Sequence, residues 1–296
     1  MIMDTIIRNV QICCSKANVI LPWRKKNLLF SLPFFLLPLI FNLSGHCVGI
    51  NNNNINMNAH LPFLTVHSSG NYEKQRLGGN ADGGYVITIL PNVAYDCYIS
   101  AGVGMDEQFS GKFVETYGMH EFNSYAFDGT VNAYPHEYTT NISFVKKNIA
   151  SYNDNHHTDL SFLLDTYHSI FLKMDIEGSE YDWIMGVRDE NMNHFAQIVM
   201  EVHGVNDDSW GYSYEGKVKC FEKLSKTHVL VHAHGNNNSG TQHNIPEVLE
   251  LCYVHKKFFS QCPDLNTDPL PSPTLDSPNN ELYPDHDMNF PPFVHT

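Results

Sequence analysis

The sequence predicts an α/β domain built on a mostly parallel sheet, and three observations carry that prediction. Short apolar runs alternate with helical periodicity across residues 97–226, the pattern of strands joined by crossover helices. The last two runs, 227–235 and 248–255, are joined by an Asn/Gly-rich loop instead of a helix, which implies an antiparallel closing pair. Several runs end in glycine or acidic residues, and in open α/β sheets the ligand cleft lies beyond the carboxyl ends of the strands.

The chain of 296 residues suits one such domain, read as 71–260, with appendages on both sides. Its 18 Lys+Arg against 32 Asp+Glu give a formal charge of −14, a field that repels phosphate backbones and excludes a generic nucleic-acid binder. Seven cysteines without a CxxC pair or zinc-finger spacing argue against a structural zinc site.

Residues 1–27 read as a cytosolic lead. Arg24, Lys25 and Lys26 precede an uncharged apolar run, 28–43, short of the roughly 20 residues of a spanning helix and interrupted by Pro33 and Pro38. It reads as a signal or transmembrane anchor with the positive charge left in the cytosol, which makes the protein single-pass with a lumenal domain, or secreted if the segment is cleaved. The sequons at Asn42, Asn141 and Asn237 agree with that route. Residues 44–70 form an Asn-rich stem.

Within the domain, 76–90 turns at Asp82-Gly83 and reads as a hairpin on the edge. The run 97–103 ends in Gly102 and Gly104, and Phe109, Phe113, Val114 and Tyr117 then fall at helical spacing. Strand, Gly-x-Gly, helix is the grammar of a nucleotide-cradling turn. The next strand, 122–128, ends in Asp128, 24 residues beyond Gly104 and near the spacing at which a carboxylate meets a ribose diol. A strand at 140–145 and a short helix at 160–167 precede the central apolar run 169–174. That run ends in Asp175 and Glu177, turns at Gly178 and enters a helix reaching about residue 191, with Glu180 in its first turn. The strand 197–204 carries Glu201 and His203 at its end, a helix follows at 216–226, and His234 closes the strand after it. Residues 261–296 hold eight of the fifteen prolines and no hydrophobic period, so they read as a disordered tail.

Six strings then form an ordered set: Arg76-Leu-Gly with Asp82-Gly-Gly-Tyr85, Tyr98-Ile-Ser-Ala-Gly-Val-Gly104, Ala126-Phe-Asp128-Gly-Thr, Leu172-Lys-Met-Asp175-Ile-Glu177-Gly-Ser-Glu180, Met200-Glu201-Val-His203, and Pro246-Glu-Val-Leu-Glu250-Leu. In these strings the chain resembles the FkbM-type branch of class I S-adenosylmethionine-dependent methyltransferases. The resemblance implies a Rossmann-like seven-stranded sheet with an antiparallel last strand and S-adenosyl-L-methionine as cofactor, and says little about the acceptor; the leading expectation is methylation of an oxygen on a small molecule or glycan. One departure stands out: Met105-Asp106-Glu107 replaces the third glycine of the fuller loop pattern, which keeps open a catalytically inactive, membrane-tethered binding module. A nicotinamide dehydrogenase is the third reading, and the missing Gly-x-Gly-x-x-Gly speaks against it.

On this reading Gly102, Gly104, Asp128 and Asp175 contact the cofactor, with Asp128 on the ribose hydroxyls and Asp175 also catalytic beside the transferred methyl. His203 is the candidate general base, because histidine titrates near neutrality. Glu177, Glu180, Glu201 and His234 are candidates for the substrate pocket. No metal is assigned, although Asp175, Glu201, His203 and His234 would make an oxygen/nitrogen ligand set if they converged.

Overall fold

The computed structural model describes residues 61–296, so the lead, the apolar segment 28–43 and most of the stem lie outside the described residues. Among the described residues no helix is long and apolar enough to cross a membrane.

A hairpin of β1 (Lys74–Leu77) and β2 (Tyr85–Thr88) comes first, then β3 (Cys97–Ala101), α1 (Gln108–Tyr117), β4 (Ser124–Phe127) and β5 (Ser143–Val145). A small pair, β6 (Asn148–Ile149) and β7 (His157–Thr158), leads to α2 (Ser161–Leu164), β8 (Ile170–Met174), α3 (Glu180–Gly186) and β9 (Phe195–His203). The chain continues through α4 (Tyr214–Thr227), β10 (His228–Gly235), the short β11 (Thr241–Gln242) and β12 (Ile245–Pro246), and β13 (Val248–His255).

Seven strands form the main sheet in the order β10-β13-β9-β8-β3-β4-β5. The pairs from β9 to β5 are parallel, and β13 runs antiparallel to both its neighbours. Strands buried on both faces read as continuous apolar runs. In β8 all five residues are buried, with Ile170, Leu172 and Met174 in one core and Phe171 in the other.

The first core packs Tyr181, Trp183, Ile184, Phe221 and Leu224 of α3 and α4 against the sheet. On the opposite face Phe113 of α1 lies with its ring 4.2 Å from Phe171 and 4.5 Å from Tyr98. Truncating so enclosed a ring costs about 3–5 kcal/mol. α1 stops at Gly118, whose φ of 61° is the left-handed conformation that glycine adopts without strain.

Two expectations are corrected. The hairpin does not sit on an edge: all four residues of β2 are buried, and the Thr88 amide donates to the Gln197 side chain of β9, so it covers one face of the sheet. Nor is the segment 261–296 disordered. Leu270, Met288, Phe293 and Val294 are buried in the first core, and the backbone pairs with the domain through Val66 N–H to Pro292 O and Asn266 N–H to Val66 O. Proline removes donors and periodicity, not apolar anchors, and four well-placed side chains suffice to hold an irregular strap.

Candidate functional site

The tips of β3, β4 and β8 meet at one cleft of about 880 Å³. Gly102 follows β3 with φ +83°, and a Cβ there would lie 1.6 Å from the Asp175 carbonyl oxygen. Glycine is therefore demanded by the approach of two backbone segments as much as by any ligand. Gly104, φ +53°, has nothing within 4 Å of its Cβ position and opens onto the cleft.

Asp128 is 8 % exposed and its carboxylate is fully engaged. Oδ2 accepts the Val103 and Gly104 amides, each at 3.1 Å. Oδ1 accepts the Thr130 amide at 2.7 Å, the Thr130 hydroxyl at 2.6 Å and the Val131 amide at 3.3 Å. Burial works against its charge, but the donors of Thr130, Gly104 and Val103 outweigh it and hold the carboxyl below its ordinary range. A ribose diol would compete with five donors, so the expected ribose carboxylate acts here as the pin of the glycine loop.

Asp175 lines the same cleft and is held from behind. Tyr85 donates its hydroxyl to Oδ2 at 3.2 Å, and Lys173 Nζ stands 3.9 Å from that oxygen while donating to the Gly102 carbonyl at 2.8 Å. Burial first, then the Asp175 charge, push the Tyr85 phenol far up, so it stays a donor. Tyr85 and Lys173 escaped the sequence reading. Each sits in an apolar run, where only the register of a folded sheet tells a strand residue from a site residue. Glu107 escaped it too: at the missing third glycine, its buried carboxylate accepts Ser100 at 3.0 Å and Tyr134 at 3.1 Å, and burial raises its pKa. The departure from the glycine pattern thus props the loop from beneath.

Glu177 reaches the cleft from a left-handed backbone, φ +55°, and its carboxylate lies 3.4 Å from His203 Nε2. Glu180 is wholly buried, accepts the Ile176 amide at 2.9 Å and stands 3.6 Å from His203 Nδ1. Glu201 lies 3.1 Å from His203 Nε2 and accepts the Asn236 amide at 3.1 Å. His203 is therefore enclosed by acids, with the Trp210 ring 4.8 Å from its own. Burial lowers its pKa, yet Glu180 and Glu201 raise it further, to about 10. These carboxylates favour the charged imidazole, which is a poor proton acceptor, and His203 is not among the residues that line the cleft; both observations speak against the general-base expectation for it.

The cleft lining includes Gly102, Gly104, Asp128, Asp175 and Glu177, while Glu180, Glu201 and His203 form a buried layer beside it. His234 is elsewhere. It bridges Glu250 and Asp285 at 3.0 Å each beneath the C-terminal segment and does not line the cleft, which removes it from the substrate pocket. Among the described residues, two groupings offer ligand atoms within 4.8 Å of one another, Asp175-Glu177-His203 and Asp82-Glu201-Glu250. The convergence of Asp175, Glu201, His203 and His234 on which a metal reading was conditional does not occur, because His234 lies away from the cleft.

A seven-stranded sheet with one reversed strand, a glycine loop over the first tip and acids over the next two is the arrangement of a methyltransferase-type α/β fold. Residues 48–249 match the family described as Methyltransferase FkbM domain, and the chain belongs to that family. Among solved structures it is similar to the N-methyltransferase NodS from Bradyrhizobium japonicum WM9, at 12% identity over 56% of this chain and 89% of that one, with a TM-score of 0.29. The same enzyme in complex with S-adenosyl-l-homocysteine matches at 11% identity over 55% of this chain and 79% of that one, again with a TM-score of 0.29. No curated protein matches the chain.

Proposed function

We propose that the protein transfers a methyl group from S-adenosylmethionine to an oxygen of a small molecule or glycan. Family membership supports the reaction class. The observation that carries the donor is the charge of the cleft: Asp82, Asp106, Asp128, Asp175, Glu177 and Asp182 line it against Lys173. A sulfonium and an ammonium are favoured in such a field, and Gly102 and Gly104 let the adenosyl group approach the backbone of the loop. Asp175, steadied by Tyr85 and Lys173, orients the reacting end of the donor. Alignment is most of what an in-line methyl transfer needs.

Proton removal from the acceptor falls to a cleft carboxylate, since His203 is charged. The apolar segment 28–43 would place this chemistry on the lumenal side of a membrane.

Calorimetric titration of donor and product into the full-length protein is the test. S-adenosylmethionine should bind at one site, and Asp175→Asn should weaken it by about tenfold, roughly 1.4 kcal/mol. Silence of a folded protein at saturating donor would favour the second reading, a catalytically inactive binding module, for which the commitment of Asp128 to its own loop is the supporting observation.

A further inference from the structure

Resting on the donor reading above, we infer that Trp210 is the platform on which the acceptor lies, and that the acceptor is an uncharged ring bearing several hydroxyls, as a neutral glycoside does. Trp210 is 48 % exposed and lines the cleft beside Gly178, Gly211 and Tyr212. Its backbone φ is +58°, a conformation that bulky side chains rarely adopt. Residues strained in this way persist only where the surrounding structure imposes the conformation, and they gather at ligand sites.

Two glycines make room for the indole. A Cβ on Gly178 would fall 2.8 Å from Trp210 Cε3, and one on Gly204 2.4 Å from Trp210 Cδ1. The loop around it is tied down: the Ser209 amide donates to Asp207 at 2.9 Å, the Tyr214 amide to Asp208 at 2.7 Å, and the buried Lys217 amine to the Asp207 carbonyl at 2.9 Å. A ring held this firmly and still half open is a preformed apolar surface inside the cleft. In the sheet order β9-β8-β3-β4 the donor site, at the tips of β3 and β4, lies on one side of Asp175, and Trp210, in the loop after β9, lies on the other. That is the acceptor's side of the transferred methyl. The cleft's 880 Å³ stands near the upper end of the roughly 300–1,000 Å³ of small-molecule sites, which leaves room for a second ring beside the donor.

Charge selects among the rings that could stack there. Asp175, Glu177 and Asp182 share the cleft lining with Trp210. Ionised carboxylates accept hydrogen bonds and donate none, so they take hydroxyl donors and repel a phosphate or carboxylate. A cationic ring is disfavoured from the other side. The His203 and Trp210 rings lie 4.8 Å apart, and although burial opposes the charge of His203, Glu180 and Glu201 more than restore it, so the indole already has a cation against it. A simple phenol would stack but brings one hydroxyl to three carboxylates. A sugar sets an apolar C–H face on the electron-rich indole and spreads its hydroxyls toward the rim.

The test is saturation-transfer NMR on the full-length protein, first without and then with S-adenosylhomocysteine, using the methyl glycosides of glucose, galactose and mannose as probes at millimolar concentration. At least one of them should receive saturation, strongest at the C–H protons of one ring face. Trp210→Gly suits the left-handed backbone and removes the ring; it should weaken that binding about tenfold while the cooperative thermal melt persists. Trp210→Phe, which keeps a ring, should retain most of it. Methyl glucuronide and methyl glucosaminide, the charged analogues, should bind more weakly than the neutral probes. Silence of all three neutral glycosides overturns the platform, as does binding that Trp210→Gly leaves untouched or that the charged analogues match. S-adenosylhomocysteine titrated alongside separates the two failures: product bound without glycoside removes only the platform, and glycoside bound through Trp210 without product removes only the methyl donor.

Discussion

Asp128 and Glu250 are both buried carboxylates on the same sheet, and they are satisfied in opposite ways. Asp128 takes five donors from residues 103–131, nearly all backbone, so its charge is spread over a loop folded locally around it. Glu250 stands directly across from Glu201 in the antiparallel register, a like-charge pairing that costs stability by itself. It is rescued by His234 on one oxygen and by Asn279 of the C-terminal segment on the other. The first end of the sheet is a self-contained scaffold for the cleft. The second depends on charged partners delivered from far along the chain.

The largest test of that contrast removes the partners. Deleting residues 261–296 strips Leu270, Met288, Phe293 and Val294 from the core and takes Asp276 from His232 and Asp285 from His234. The expected loss is on the order of 6 kcal/mol, seen as the absence of a cooperative melt by circular dichroism. A truncated chain that melts within a few degrees of the whole one would show the strap to be ornamental.

Gly102→Ala strikes the scaffold end. The added methyl collides with the Asp175 carbonyl in a left-handed backbone, and about 4 kcal/mol should be lost, read from denaturant midpoints. Asp128→Asn keeps the shape but puts a donor where amides need an acceptor. It should cost about 2 kcal/mol and weaken donor binding by loosening the loop. Should stability hold while donor affinity collapses, Asp128 meets the ribose after all.

Acidity separates the ends most finely. Asp128 lies below its ordinary value of 3.8 in the fold, so its contribution is present above that pH and fades as the pH falls through its lowered folded value. His234 is raised from 6.5 to about 10: burial opposes its charge, and Asp285 and Glu250 more than restore it. Its contribution is whole below pH 6.5 and is lost as the pH climbs toward 10, and His203 behaves alike. Thermal melts between pH 6.5 and 10 should therefore fall with pH, and His234→Gln should flatten that slope. A flat wild-type profile would mean the histidines are not charged in the fold.

Legibility in the sequence follows the same divide. The seven sheet strands, the helices between them and the convergence of Gly102, Asp128 and Asp175 could be read because each is written in local pattern: an apolar run, then a turn residue at its end. What could not be read was long-range. Nothing near Asp276, Asn279 or Asp285 announces a partner on β10 or β13, and the prolines around them masked four apolar anchors. Tyr85 and Lys173 look like ordinary strand residues until β2 is laid over the sheet and β8 is set beside Gly102. His203 was read correctly as a strand-end residue, but its charge depends on Glu180, which only the turn at Gly178 brings within reach.

The central claim is that three strand tips gather around one methyl donor, and a crystal structure of the protein soaked with S-adenosylhomocysteine tests it most directly. The account predicts the adenosyl group along Gly102–Gly104 with its sulfur near Asp175. Density for the ligand on any other surface, or none in a well-ordered cleft at saturating concentration, would contradict it.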